Sequence, residues 1–378
     1  MINSTERKKK AKKKDPLRIG WGWRGIYVFA AVSLIIYIIA IISTPFANFF
    51  TRYPASAVRA ALSYITYLLP ISLAEIMLIL LIPTIVVVVI LACRKYCDSW
   101  RGVFAFSAKL GAALAIMFIL FVWTLGTGYR TTTLDKRLDL GDKETTAESV
   151  ADTSKILIAL VNEAAKEIEF GENGFSVMPY SLDEMNTKLM AAYKKISQKY
   201  DFIPDLYSRT KPVMISELMS YTHITGVYSY FTGEANINVA FPDFTIPYTA
   251  AHELAHQRGV AREDEANFIA FLVCLESDDP YIKYSGYVMT LEYLLDAHYL
   301  GDISEGHSAY RELYFTLSES VRNEQKAYYE FFQKYDDNII ADVSGAVNDA
   351  YLQSQGTPGR ISYGLVVDLA VKYYSKQG

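Results

Sequence analysis

Three stretches of the chain, about residues 25–43, 71–93 and 103–125, are apolar enough and long enough to cross a bilayer. No other feature limits the fold so strongly. A backbone surrounded by hydrocarbon must satisfy its own hydrogen bonds, so each stretch has to be a helix. The rest of the chain must then be placed outside the membrane. Glu75 and Lys109 each lie near one end of their stretch, where a long charged side chain can snorkel to the interface. Pro83 stands in the middle of the second stretch and is a candidate kink.

Orientation follows from the basic residues. Residues 1–24 form a basic tail with nine Lys or Arg against Glu6 and Asp15, and the loop 94–102 holds Arg94, Lys95 and Arg101. The loop 44–70 holds only Arg52 and Arg59. The positive-inside rule therefore places the tail and the 94–102 loop in the cytoplasm, and everything after the third stretch outside. This describes an integral protein of the plasma membrane whose first partner is the lipid bilayer. The apolar run at 25–43 is too long for the core of a cleaved signal peptide. The lysine runs Lys8-Lys9-Lys10 and Lys12-Lys13-Lys14 precede an apolar segment, which suits anionic lipid better than nucleic acid. Residues 129–378 carry 22 Lys or Arg against 37 Asp or Glu, so nucleic acid is excluded as a partner there as well. Cys93, Cys97 and Cys274 are too few for a disulfide framework, and Cys274 reads as a small core residue. The sequence assigns no oligomeric state.

Residues 126–150 read as a juxtamembrane connector, and 151–378 as one extracytoplasmic domain. Apolar periodicity predicts helices over about 151–170, 181–200, 281–299, 304–336, 339–353 and 363–376. Ser181, with Glu184 three residues on, is the expected cap of the second. Residues 212–246 are rich in Tyr, Thr, Val, Ile and Phe and predict short strands and turns. The fold class expected is thus a three-helix transmembrane region followed by an α+β, mainly helical domain.

Within that domain stands His252-Glu253-Leu254-Ala255-His256. On a helix the two histidines lie at i and i+4 on one face, where both imidazoles reach one zinc ion. Glu253 is then placed to take a proton from a water at that metal. The bland alternative is an ordinary helix carrying two histidines. Pro247 suits the first turn of such a helix, Thr245 is a candidate cap, and Gly259 is positioned to end it in a left-handed turn. A second helix starting near Arg262 can return a carboxylate to the metal. Glu263 is the expected third ligand, with Asn267 one turn on as a residue that steadies it. Glu265 points about 160° away on the same helix and is the alternative ligand. The acidic cluster alone also fits a plain helix N-terminus.

The stretches Thr249-Ala250-Ala251-His252-Glu253-Leu254-Ala255-His256-Gln257-Arg258-Gly259 and Glu263-Asp264-Glu265-Ala266-Asn267-Phe268 resemble gluzincin-type zinc peptidases. They look closest to an uncharacterised bacterial family of integral membrane proteins, classed only as a domain of unknown function and regarded as zinc metallopeptidases. Phe231-Thr232-Gly233-Glu234-Ala235-Asn236, Tyr284-Ser285-Gly286-Tyr287 and Ser362-Tyr363-Gly364 carry the same likeness. The resemblance implies a zincin-like domain. It also implies that Asn236-Ile237-Asn238-Val239, just before the zinc helix, is the sheet edge that pairs with an extended substrate; a plain strand with a buried face is the alternative.

The function expected is a membrane-anchored, zinc-dependent peptidase acting on a peptide or protein substrate. His252, His256 and Glu263 would hold Zn2+, and Glu253 would be the general base. A rival from another class is a membrane sensor or assembly protein with a structural or vestigial zinc site. The intact Glu253 argues against it, because a structural site needs no base and closes with a fourth ligand. Intramembrane cleavage is disfavoured because His252 lies about 127 residues beyond the third apolar stretch. His223, His298 and His307 read as surface or hydrogen-bonded residues. Tyr284, Tyr363 and His223 are eligible donors for an oxyanion, and the sequence does not choose among them.

Overall fold

The computed structural model describes residues 21–96, 99–303, 306–335, 338–357 and 365–377. The tail through residue 20, Cys97, the expected helix limits Ser304 and Asp336, and the Ser362-Tyr363-Gly364 stretch lie outside the described residues. Two compact units make up the chain: residues up to Ile35 with Met77–Ile119, and Ile36–Ile76 with Leu120 onward.

Three helices are long and apolar enough to span a membrane: α1 (Trp21–Ile42), α4 (Leu73–Tyr96) and α5 (Trp100–Thr124). They match the expected stretches to within a few residues at each end, and α4 is continuous through Pro83. In the first unit the Tyr27 hydroxyl donates to the Ala108 carbonyl, and Lys109 donates to the Tyr96 hydroxyl.

The second unit contains the last turns of α1 and α5, the first turn of α4, and all that follows α5. The 44–70 connection, for which the sequence suggested no element, forms α2 (Thr44–Arg52) and α3 (Pro54–Tyr67). Ser43 accepts the Phe46 N–H, and proline occupies the first turn of both helices, where its missing N–H costs nothing. Arg59 of α3 is fully buried, donating to the Thr124 carbonyl at 2.9 Å and the Thr51 carbonyl at 2.8 Å. Glu75 departs from expectation. It is buried rather than snorkelling, and its carboxylate accepts the N–H groups of Met214 and Ile215 at 3.0 and 2.9 Å. Two convergent backbone donors repay the desolvation of a carboxylate better than the interface does.

The body is helical: α6 (Leu134–Arg137), α7 (Ala147–Ala164), α8 (Leu182–Lys199), α9 (Ser216–Ser220), α10 (Ile246–Gln257), α11 (Glu263–Glu276), α12 (Pro280–Gly301), α13 (Ser308–Tyr314), α14 (Glu319–Gln333), α15 (Ile339–Ser354) and α16 (Leu365–Gln377). Ser181 caps α8 through the Glu184 N–H, and Asp279 caps α12 through Ile282. The helix expected over 304–336 is two helices. Asn162 of α7 takes up the break between them, accepting the Ser318 N–H at 2.8 Å and donating to the Thr316 carbonyl at 2.9 Å. Leu134 and Leu140, from the expected connector, join the main core with Leu157, Leu189, Phe268 and Leu291. Cys274 is buried in that core, while Cys93 is exposed.

A three-stranded sheet has the order β1 (Thr210–Pro212), β3 (Glu234–Ile237), β2 (Gly226–Ser229). β1 pairs parallel to β3, with Thr210 opposite Ala235; β2 pairs antiparallel, with Gly226 opposite Ile237. The strand expected as the substrate edge is therefore the central one. Its flanks are both filled, and among the described strands β1 and β2 are the two edges. All four β3 residues are buried, as a central strand requires.

Candidate metal centre

α10 carries His252, Glu253 and His256. Pro247 sits in its first turn as expected, but Thr245 does not cap it; the Thr245 hydroxyl donates to the Pro242 carbonyl instead. Gly259 adopts φ +95° and its N–H bonds the His256 carbonyl, so the helix ends in the left-handed turn that glycine permits. Buried Arg258 fixes that end: its guanidinium lies 3.9 Å over the Tyr193 ring and donates to the Leu254 and Leu206 carbonyls. The reversal brings in α11, whose first residue is Glu263.

His252, His256 and Glu263 come together with one ligand atom of each within 4.8 Å of the others. The Nε2 atoms of His252 and His256 approach the same Glu263 carboxylate oxygen at 3.2 and 3.5 Å. His256 Nδ1 lies 2.7 Å from the Val260 carbonyl, which assigns a proton to Nδ1 and turns Nε2 toward the cluster. Nε2 is thus the nitrogen that a metal would take, in place of the proton that Glu263 favours there. The donor set of two imidazoles and one carboxylate is one that zinc accepts, and among the described residues the group has these three members. The Glu253 Oε2 atom is buried without a hydrogen-bond partner among the described residues, so this carboxylate has spare accepting capacity.

Electrostatics follow the burial. Desolvation pushes the Glu253 carboxyl up to about 7, against the pull of His252 and His256. Desolvation works to lower His256, but the Glu263 charge and hydrogen bond overcome it and raise the imidazole to about 9. Burial likewise opposes ionisation of Glu263, yet His256 and His252 hold its carboxyl well below the usual range. These three groups form one tightly coupled set of charges.

Glu265 is elsewhere. Its carboxylate accepts the Leu134 N–H at 2.9 Å, and burial raises it to about 7. Asn267 does not steady Glu263: its side-chain nitrogen has no hydrogen-bond partner among the described residues, and its backbone carbonyl accepts the Tyr248 hydroxyl. Tyr284 gives its hydroxyl to Glu324 in the core. His223 bonds the Tyr335 carbonyl through Nε2, and Tyr363 lies outside the described residues. His307 stacks on Tyr299, and His298 faces Tyr310. None of these histidines enters the cluster.

Several neighbours had no signal in the sequence. A Cβ on Gly226 of β2 would fall 2.6 Å from Glu253 Oε1 and 2.9 Å from Thr249, so this glycine gives the strand its close pass over Glu253. The Tyr228 backbone also hydrogen-bonds Glu253. Tyr129, Tyr228, Leu125 and Ala261 pack together beside the centre, with Tyr351 against them. Tyr129 donates to the Tyr351 hydroxyl at 3.2 Å, and Tyr351 feels the Glu263 charge.

A protein-family comparison matches residues 50–371 to a family described as "Protein of unknown function (DUF3810)". The chain belongs to the DUF3810 family. No curated protein and no solved structure matches it. The DUF3810 match covers the cluster on α10 and α11 together with α4, α5 and the buried Arg59 and Glu75. In this DUF3810 protein, two of the three apolar helices and the cluster thus fall in one family segment, and α1 precedes it.

Proposed function

We propose that this chain is a membrane-anchored, zinc-dependent metallopeptidase with a zincin-like domain. Its domain lies on the extracytoplasmic side of the plasma membrane and hydrolyses peptide bonds in peptide or protein substrates. The observation that carries the reading is the convergence of His252, His256 and Glu263, with the half-free carboxylate of Glu253 beside them. Zinc held by those three side chains would supply Lewis acidity and bring a water's pKa toward neutrality. Glu253 accepts a proton from the attacking water and returns it to the departing amine. The Nδ1 proton bonded to Val260 keeps His256 in register for the metal.

The test is metal content and hydrolysis measured on the full-length protein in detergent. One zinc per chain is expected, lost in Glu263→Ala and kept in Glu265→Ala and Glu253→Gln. Glu253→Gln should lower turnover by at least about a hundredfold while leaving zinc bound. Full hydrolysis by Glu253→Gln would reject the mechanism. Zinc binding without hydrolysis of any peptide by the wild type would favour a sensor or assembly protein.

A further inference from the structure

The 127-residue separation between the third span and His252 disappears in the fold. α5 ends at Thr124, and Leu125 and Tyr129 pack directly on Ala261, between the two metal-cluster helices, and on Tyr228 of the edge strand. A Cβ on Gly128 would lie 2.6 Å from the Gly259 carbonyl, and one on Gly259 would lie 2.6 Å from Arg59, which holds the Thr124 carbonyl. The turn ending the motif helix therefore rests on the outer end of a membrane-spanning helix.

The sheet is fixed at the same level by a second set of bonds. Glu234 of β3 accepts the Leu73 and Ala74 N–H groups at the start of α4, and Lys211 of β1 reaches the Ile71 carbonyl. Glu75 holds Met214 and Ile215, where the chain turns from β1 into α9. The segment running from there to β2 exposes Met214, Leu218 and Val227, three apolar side chains that gain nothing from water. The Met214 N–H bonds Glu75, in the first turn of α4, so this side chain lies next to the start of a helix long and apolar enough to span. β2, whose outer edge is free among the described strands, passes Glu253 at Gly226.

Resting on the metallopeptidase reading, we infer that the substrates are polypeptides held in the same bilayer, cut in the extended segment just outside it. A chain leaving the membrane beside α4 meets the apolar Met214–Leu218 surface and then the β2 edge, whose backbone groups pair with any extended sequence. Tethering confines such a substrate near the site, and the low height of the edge selects bonds close to the lipid.

The experiment uses the full-length protein in sealed phosphatidylethanolamine–phosphatidylglycerol vesicles. A degenerate peptide library is added in three forms: free, palmitoylated, and palmitoylated through a long polyethylene glycol spacer. New termini are read by mass spectrometry, with Glu253→Gln as the blank. Both lipidated forms have the same surface concentration, so height alone separates them. Cleavage of the short-tethered library at least about tenfold faster than the spaced and free ones is expected. Equal or faster cutting of the spaced library overturns the inference and leaves the peptidase standing. Failure to cut all three overturns both. In parallel, Leu218→Cys in a Cys93→Ser, Cys97→Ser background is labelled with a nitrobenzoxadiazole dye. Quenching by nitroxide lipid and protection from iodide are expected. Quenching by iodide alone would overturn the placement even if peptides are cut.

Discussion

A carboxylate that must gain and lose a proton has to be held in place without being used up by other partners. Glu253 meets that need because β2 crosses it at a residue with no side chain. Gly226→Ala should therefore displace the base while leaving His252, His256 and Glu263 untouched. We expect zinc content unchanged and turnover lower by about tenfold or more, read as a fall in kcat/KM in detergent. A second residue-scale expectation concerns pH. Burial, helped by the charge of Asp296, raises Glu292 from 4.5 to about 7. The folded state holds this proton more tightly than the unfolded one, so stability is favoured below about 4.5 and declines as pH rises to about 7. Glu292→Gln should remove that decline, gaining about 1–2 kcal/mol at alkaline pH, allowing for partial exposure, and nothing at acid pH. Thermal melts across the range would show it; a gain of equal size at both ends would refute it. The convergence of His252, His256 and Glu263 was legible in the sequence because they sit on two consecutive helices joined by a glycine turn. Local spacing there is nearly the whole geometry. Gly226 was not legible, since only strand pairing and the packing of the sheet on α10 bring it to Glu253.

Among the elements, the sheet shows where pattern reading stops. The alternation of polar and apolar residues near Asn236 correctly signalled a strand, but alternation cannot say whether a strand is central or at an edge. The ladder decides that, and it puts β3 between two partners. The 304–336 region went astray for a different reason: no Pro or Gly marks the break after Phe315, and side chains compensate it, among them Asn162, far away in sequence. β3 also bears an energetic burden through Glu234, which is paired with Lys211; both side chains are almost wholly buried. Glu234→Ala would strand that ammonium and release two N–H groups of α4. A loss of about 3–5 kcal/mol is expected by chemical denaturation, with partial recovery in the Lys211→Met, Glu234→Gln double variant. A loss below about 1 kcal/mol would mean the pair contributes little.

At the scale of the whole molecule, the sequence divides naturally into a membrane part, a connector over 126–150 and a domain from 151, and the compact units cut the chain differently. Residues 36–76 belong with the domain: Arg59 fills its interior, and the start of α4 supplies donors to its sheet. A 129–378 fragment is therefore expected to be aggregated or molten, where the full chain in detergent is monodisperse with a cooperative melt. A sharp transition from the fragment alone would contradict this. The span limits were legible because hydropathy over such lengths is a nearly one-dimensional signal. The union of residues 36–76 with the domain left no such trace, since it rests on single side chains meeting across large separations. The grip at the membrane is mutual: Glu75 of α4 holds the chain before α9, and Glu234 of β3 holds the start of α4. On the proposed extracytoplasmic placement, these carboxylates meet their donors only once the later chain has been exported beside the outer end of α4. Export would then be the step that completes the cluster.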